Sequence, residues 1–252
     1  MKLYETLDLG PKAVVALVGG GGKTSAMFRL AEEIPSKHSV LITTTTKIYI
    51  PSREEYHCFC TQAEGYNEEA VVKALKAGER PVLGSRRLYP EHKLDGVEEE
   101  LLAGFFRQGQ ADYILVEADG SKGRPLKGHL DYEPVIPGIT TCLLIVIGAD
   151  VLGKQLDSQF VHRPEIVAGL TGQRPGTMVG PETIACLINH PWGILRTKPA
   201  GAETVAIINK IDCLKSLDEV YRTARLLLVG GRIRKVILSS IQSTNPVIDI
   251  IE

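Results

Sequence analysis

Eight short apolar runs rich in β-branched residues constrain this chain more than any other feature. They are AVVALV (13–18), SVLITT (39–44), YHCFC (56–60), RPVLGS (80–85), DYILVEAD (112–119), TCLLIVIGA (141–149), ETVAIINK (203–210) and RKVILSS (234–240). Several are apolar without alternation, which is the pattern of strands covered on both faces. Helical patterns lie between them at 23–34, 68–77, 95–108, 181–189 and 217–229. Strand and helix in turn predict an α/β fold, a mostly parallel sheet flanked by helices. At 252 residues and 44% hydrophobic content the chain can bury such a core as a single domain over 1–252. Ligands of these sheets sit beyond the carboxyl ends of the strands. The longest expected loop, GSKGRPLKGHLDYEPVIPG at 120–138, leaves such an end, and long loops in compact domains are usually functional.

The first run leads directly into GGGGKTS, with Gly19, Gly20, Gly21 and Gly22 before Lys23, Thr24 and Ser25. The common phosphate loop is G-x-x-x-x-G-K-[ST]. Here its first glycine position is held by Leu17. A shorter G-x-x-G-K-[ST] spacing, like that of Mur-type ligases, is complete. Glycines let consecutive N–H groups turn toward one anion, and a helix N-terminus adds partial positive charge. Gly20, Gly21 and Gly22 are expected to cradle phosphates, Lys23 to reach the β- and γ-phosphates and Thr24 to place its hydroxyl on Mg²⁺. The bare alternative is a glycine turn before a helix.

Three later strand ends add to this. YILVEAD brings Glu117 and Asp119 to the end of an apolar strand, where a carboxylate can hold Mg²⁺. Asp119 is expected on the metal and Glu117 on a water, sharing one face by strand alternation. Lys122, Arg124 and Lys127 follow and suit a transferring phosphoryl group or an anionic substrate. TTTTK places Thr43 to Thr46 and Lys47 at the end of the second run, with Lys47 the candidate for the γ-phosphate and two of the threonines expected to be strand formers. IINKID ends a further strand with Asn209, Lys210 and Asp212, the Asn-Lys-x-Asp pattern of guanine-binding proteins. A carboxylate at Asp212 accepts from the guanine N1–H and N2–H₂, and adenine lacks that N2 donor. Asn209 would brace the neighbouring loop and the Lys210 stem would lie along the base. Ser239 and Ser240 end the next run, where GTPases carry a short loop behind the base.

Other features bound the function. A net charge of −1 provides no global basic field for nucleic acid or an acidic membrane. No apolar run approaches a membrane span, and MKLYETLDLGPK lacks the apolar core of a secretory signal. Five cysteines without a C-x-x-C pair read as reduced thiols in the cytoplasm. His57-Cys58-Phe59-Cys60 could hold a soft metal or chalcogen, but buried strand thiols are the commoner case. Arg163 in FVHRPEIVAGLTG is a candidate substrate or phosphate contact, with His162 before it and Glu165 at a helix start, although a structural role is the commoner case. His129 is a weaker candidate, and Trp192 reads as packing.

Taken together, VGGGGKTS, ITTTTKIYIP, EADGSKGRPLKGH with EPVIP, VHRPEIVAGLTG and IINKID resemble the YqeC family over about residues 10–240. The resemblance implies a phosphate-loop NTPase fold and an accessory role toward selenium-dependent molybdenum hydroxylases, in selenium cofactor biosynthesis. The fold is also similar to the nickel-insertion GTPases of urease and hydrogenase, an analogy that does not fix function. The expectation is a cytoplasmic Mg²⁺-dependent nucleoside triphosphatase that binds GTP or ATP, with GTP favoured. Its partner would be a molybdopterin or selenium enzyme. Related NTPases often pair around nucleotide, so a homodimer is allowed. Two rivals stay open. One is a kinase or ligase using ATP on a small anionic substrate, and the other is a nucleotide-gated scaffold without hydrolysis.

Overall fold

The computed structural model describes residues 1–50 and 56–252. Pro51, the last residue of the threonine motif, lies outside the described residues. The chain runs α1 (Leu3–Thr6), β1 (Ala13–Gly19), α2 (Lys23–Glu33), β2 (Val40–Thr44), β3 (Lys47–Tyr49), β4 (Cys58–Cys60) and α3 (Glu68–Lys76). It continues through β5 (Val82–Gly84), β6 (Arg87–Leu88), β7 (Lys93–Asp95), α4 (Glu99–Arg107), β8 (Tyr113–Glu117), β9 (Leu126–Lys127) and β10 (Cys142–Gly148). The last part holds β11 (Val161–His162), α5 (Pro164–Thr171), α6 (Pro181–Asn189), β12 (Glu203–Asn209), α7 (Asp218–Leu228), β13 (Lys235–Ser239) and β14 (Val247–Ile251).

Among the described residues, nine strands form one sheet in the order β14-β13-β12-β10-β1-β8-β2-β5-β4. Every pairing is parallel except the outer β13–β14 pair. The central strands are apolar along their whole length because both faces are covered. Val15 and Leu17 of β1 join α1 and α2 on one face through Leu3, Met27 and Leu30. Ala16 and Val18, one residue out of phase, face α5, α6 and α7 through Val167, Ile184 and Ala224. Val14 and Ile114 extend that second layer toward α3 and α4 through Leu75 and Phe105.

The expected helix over 95–108 is shorter, because Asp95 pairs in β7 and Gly96 lies against the Thr45 backbone. A three-stranded antiparallel sheet, β3-β7-β6, stands beyond the carboxyl ends of β2 and β5. The chain leaves β8 on one side of β1 and re-enters as β10 on the other. That reversal opens a crevice above β1, the place where ligands of open α/β sheets bind. The long segment between β8 and β10 crosses it, and β9 within that segment pairs with β11.

Candidate functional site

The glycine turn sits in the crevice. Gly19, Gly21 and Gly22 have φ of +97°, +82° and +123°. A Cβ on Gly21 would stand 2.3 Å from the Gly148 nitrogen, and one on Gly22 would stand 2.5 Å from Asn209 Nδ2. Both positions therefore require glycine on two counts, conformation and close approach. The Gly20 N–H donates to Val146 O at 2.9 Å and the Gly21 N–H to Arg124 O at 3.0 Å. Asn209 Nδ2 donates to Gly21 O at 2.8 Å, while the Ile241 N–H donates to Asn209 Oδ1 at 3.0 Å. The turn is thus clamped from β10, from the β8–β10 segment and from β12. The N–H groups of Gly22, Lys23 and Thr24 find no acceptor among the described residues. They sit at the start of α2, where the helix dipole favours an anion.

Charged groups converge behind the turn. Lys23, only 3% exposed, donates to Gly19 O at 2.7 Å and lies 3.2 Å from Asp119 Oδ1 and 3.8 Å from Glu117 Oε1. Thr24 Oγ1 donates to Glu117 Oε2 at 2.7 Å. Asp119 instead accepts the Gly19 N–H at 3.0 and 3.2 Å and His129 Nε2–H at 2.6 Å, with Lys127 Nζ at 3.5 Å. Burial acts to raise the Asp119 carboxyl, but Lys23, His129 and Lys127 reverse this and hold it well below the usual carboxylate range. Burial raises the Glu117 carboxyl above its ordinary value, against Lys23 and Thr24. It also keeps the His129 imidazole low despite Asp119.

The two acids therefore separate. Sequence alternation puts both beside the metal position, yet only Glu117 touches Thr24. Both reach Lys23, but the Asp119 carboxylate is taken up by the Gly19 N–H, His129 and Lys127. His129, ten residues further on, is the partner that sequence reasoning ranked low.

An open cleft of about 1500 Å³ extends from Gly21–Ser25 between the small β3-β7-β6 sheet and the β8–β10 segment. Thr46, Lys47, Glu117, Lys122, His162 and Arg163 line it. Thr43 and Thr44 do not serve it, since their hydroxyls donate to Leu83 O and Glu117 O at 2.9 and 2.7 Å. Thr45 donates to Val135 O at 2.6 Å. Arg163 pairs with Glu133, whose other neighbour is Lys127 at 3.0 Å. Lys127 is buried, whereas Arg124 and Glu165 are exposed.

Asn209, Lys210 and Asp212 stand on the far side of the turn and do not line this cleft. Lys210 lies 2.8 Å from Asp150, and the exposed Asp212 accepts from Ser240 Oγ at 2.6 Å. Cys58 and Cys60 are half-buried against the apolar layer, and burial raises the Cys58 thiol. Among the described residues no group of three or more His, Cys, Asp or Glu side chains is placed to hold a metal. Trp192, read from sequence as packing, is 70% exposed on a tight turn. No helix among the described residues is long and apolar enough to cross a membrane.

A family model described as "YqeC protein" matches residues 15–165. The Escherichia coli (strain K12) protein described as "Uncharacterized protein YqeC" is 32% identical over 208 residues, covering 81% of this chain and 79% of the relative. No solved structure matches. The matched region contains the glycine turn, both acids and the β8–β10 segment, and on these matches the chain belongs to the YqeC family.

Proposed function

We propose that this chain binds a nucleoside triphosphate with Mg²⁺, prefers GTP, and hydrolyses it slowly as an accessory to a molybdenum enzyme. The observation that carries the reading is the start of α2. Three open N–H donors at Gly22, Lys23 and Thr24 meet a buried ammonium and a Thr24–Glu117 oxygen pair 2.7 Å apart. The donor set fits Mg²⁺, which takes one or two protein oxygens beside phosphate and water. When bound, Mg²⁺ supplies charge that offsets the β- and γ-oxygens. Thr24 and Glu117 would hold it. Asp119 would act one layer further in, orienting Lys23 and the Gly19 amide.

Lys23 now bridges Gly19 O and Asp119, and an incoming phosphate offers it a stronger anionic partner. Lys47, on the lip of the cleft, would approach the γ-phosphate. The guanine preference rests on Asp212 beside Ser240, with Asn209 tying that strand end to Gly21. The client, a selenium-dependent molybdenum hydroxylase or an enzyme handling its cofactor, follows from the family resemblance.

Phosphate release from Mg·GTP tests the reading, with and without a purified molybdenum hydroxylase. Slow release that the hydroxylase accelerates, and that Lys23→Ala abolishes, is expected. Release unchanged by Lys23→Ala would overturn it, as would wild-type protein that binds no nucleotide.

A further inference from the structure

The cleft is larger than the triphosphate needs and points away from the base side. Its volume of about 1500 Å³ exceeds the roughly 300–1,000 Å³ of an ordinary small-molecule pocket. Asn209, Lys210 and Asp212 lie outside it. A nucleotide with its base at Asp212 and its phosphates on Gly22–Thr24 therefore presents its γ-end to the cleft and leaves the outer part open.

Several charged groups in that outer part already have partners. Arg86 pairs with Asp95 at 3.1 Å, Arg163 pairs with Glu133, and Lys93 Nζ lies 4.8 Å from the Tyr49 ring centre. Glu99 accepts the Gly138 N–H at 2.7 Å. Lys47 on one wall and Lys122 on the other have no acidic partner within salt-bridge distance among the described residues. Glu98 and Glu99, at the start of α4, are the acids lining the cleft that have no cation within salt-bridge distance among the described residues. The wall bearing Lys122 is also held in unusual geometry, since Lys122 and Arg163 have φ of +51° and +61°. Such conformations persist where surrounding structure enforces them, and they cluster at ligand clamps. Burial, reinforced by Arg163, Lys127 and Lys122, depresses the His162 imidazole to about 4. The imidazole stays neutral there and adds no charge, and with Arg163 and Lys127 paired to Glu133, Lys122 is the unpaired cation of this wall among the described residues.

We infer that the outer cleft binds a second small ligand bearing a phosphate group, held by Lys122 next to the γ-end of the nucleotide, with Lys47 shared between that phosphate and the γ-phosphate. The choice of phosphate follows from the chemistry of the free cations. Among the described residues lining this wall, the guanidinium of Arg163 is already occupied by Glu133, and lysine point charges suit a compact phosphate. The inference rests on the nucleotide reading for the orientation of the γ-end.

The test begins with protein saturated with Mg²⁺ and a non-hydrolysable GTP analogue, a step that exposes any failure of the nucleotide reading by itself. Inorganic pyrophosphate is then titrated calorimetrically with Mg²⁺ in excess, and citrate is titrated in parallel. A single saturable pyrophosphate site is expected, with citrate at least tenfold weaker. Lys122→Ala should weaken pyrophosphate about tenfold, the loss of one charge-assisted contact, while the analogue's affinity stays within about twofold. Lys122→Arg should restore most of it. If the analogue binds but no second site appears, the inference fails alone. It also fails if Lys122→Ala leaves pyrophosphate binding unchanged, or if citrate binds as tightly.

Discussion

Asp119→Asn separates an architectural acid from a metal ligand. The carboxylate is fully buried and takes the Gly19 N–H, His129 Nε2–H, Lys23 at 3.2 Å and Lys127 at 3.5 Å. Asparagine keeps the shape and one acceptor for Gly19 but removes the charge that balances two buried ammonium groups. Removing one partner of a buried ion pair costs about 3–5 kcal/mol. Lys23 keeps Glu117 at 3.8 Å and Lys127 keeps Glu133 at 3.0 Å, so the lower end, about 3 kcal/mol, is the expected loss. With a slope of about 3 kcal/mol/M, urea denaturation at pH 7 should show a midpoint lower by about 1 M.

The pH dependence has a definite sign. The folded Asp119 carboxyl lies below its unfolded value. Its contribution is therefore complete above the ordinary carboxylate range and fades as pH falls through the folded value. The gap between wild type and variant should narrow below about pH 4. A variant with an unchanged urea midpoint would refute this reasoning and return Asp119 to the metal.

Glu117→Gln should behave oppositely. Burial raises this carboxyl, so its ionised form costs stability above the ordinary value and is relieved as pH falls. Thermal melts at pH 7 should therefore show a higher Tm for the variant, while calorimetry shows nucleotide binding no longer strengthened by Mg²⁺. Gly21→Ala should lose about 2–4 kcal/mol in urea, from left-handed strain and overlap with Gly148. Gly120→Ala, whose Cβ would meet open space, should stay within about 0.5 kcal/mol of wild type. The His162 imidazole should titrate near 4 by NMR, and Lys122→Ala should move it upward. This histidine opposes folding progressively as pH drops from its unfolded value near 6.5 toward 4, so His162→Gln should flatten the stability loss in that window.

Much of the fold is legible in the chain because buried parallel strands write themselves as unbroken apolar runs. AVVALV becomes β1, and the helix expected over 181–189 forms over those residues. The elements that sequence leaves out are short or interrupted. Strands β3, β6 and β7 have two or three residues each and exist only through one another. β14, VIDII, carries an aspartate and lies antiparallel at the sheet edge. At the site, local spacing brings out the Gly19–Thr24 turn and the Asn209 brace. The division between Glu117 and Asp119 stays hidden because it depends on partners distant in sequence, the Gly19 N–H and His129, which reach Asp119 only in the folded chain. The four threonines look alike in sequence, and only the neighbouring strands decide that Thr43 and Thr44 face backbone carbonyls while Thr46 faces the cleft.

The most direct measurement is calorimetric titration of nucleotide-free protein with non-hydrolysable GTP and ATP analogues in Mg²⁺, repeated on Lys23→Ala and Asp212→Asn. One site that prefers GTP is expected. Lys23→Ala should abolish binding, and Asp212→Asn should remove the preference while leaving the phosphates bound. Binding that survives Lys23→Ala, or no binding by the wild type, would rule out a nucleotide site at Gly19–Thr24. Equal affinity for ATP would remove the guanine assignment from Asp212.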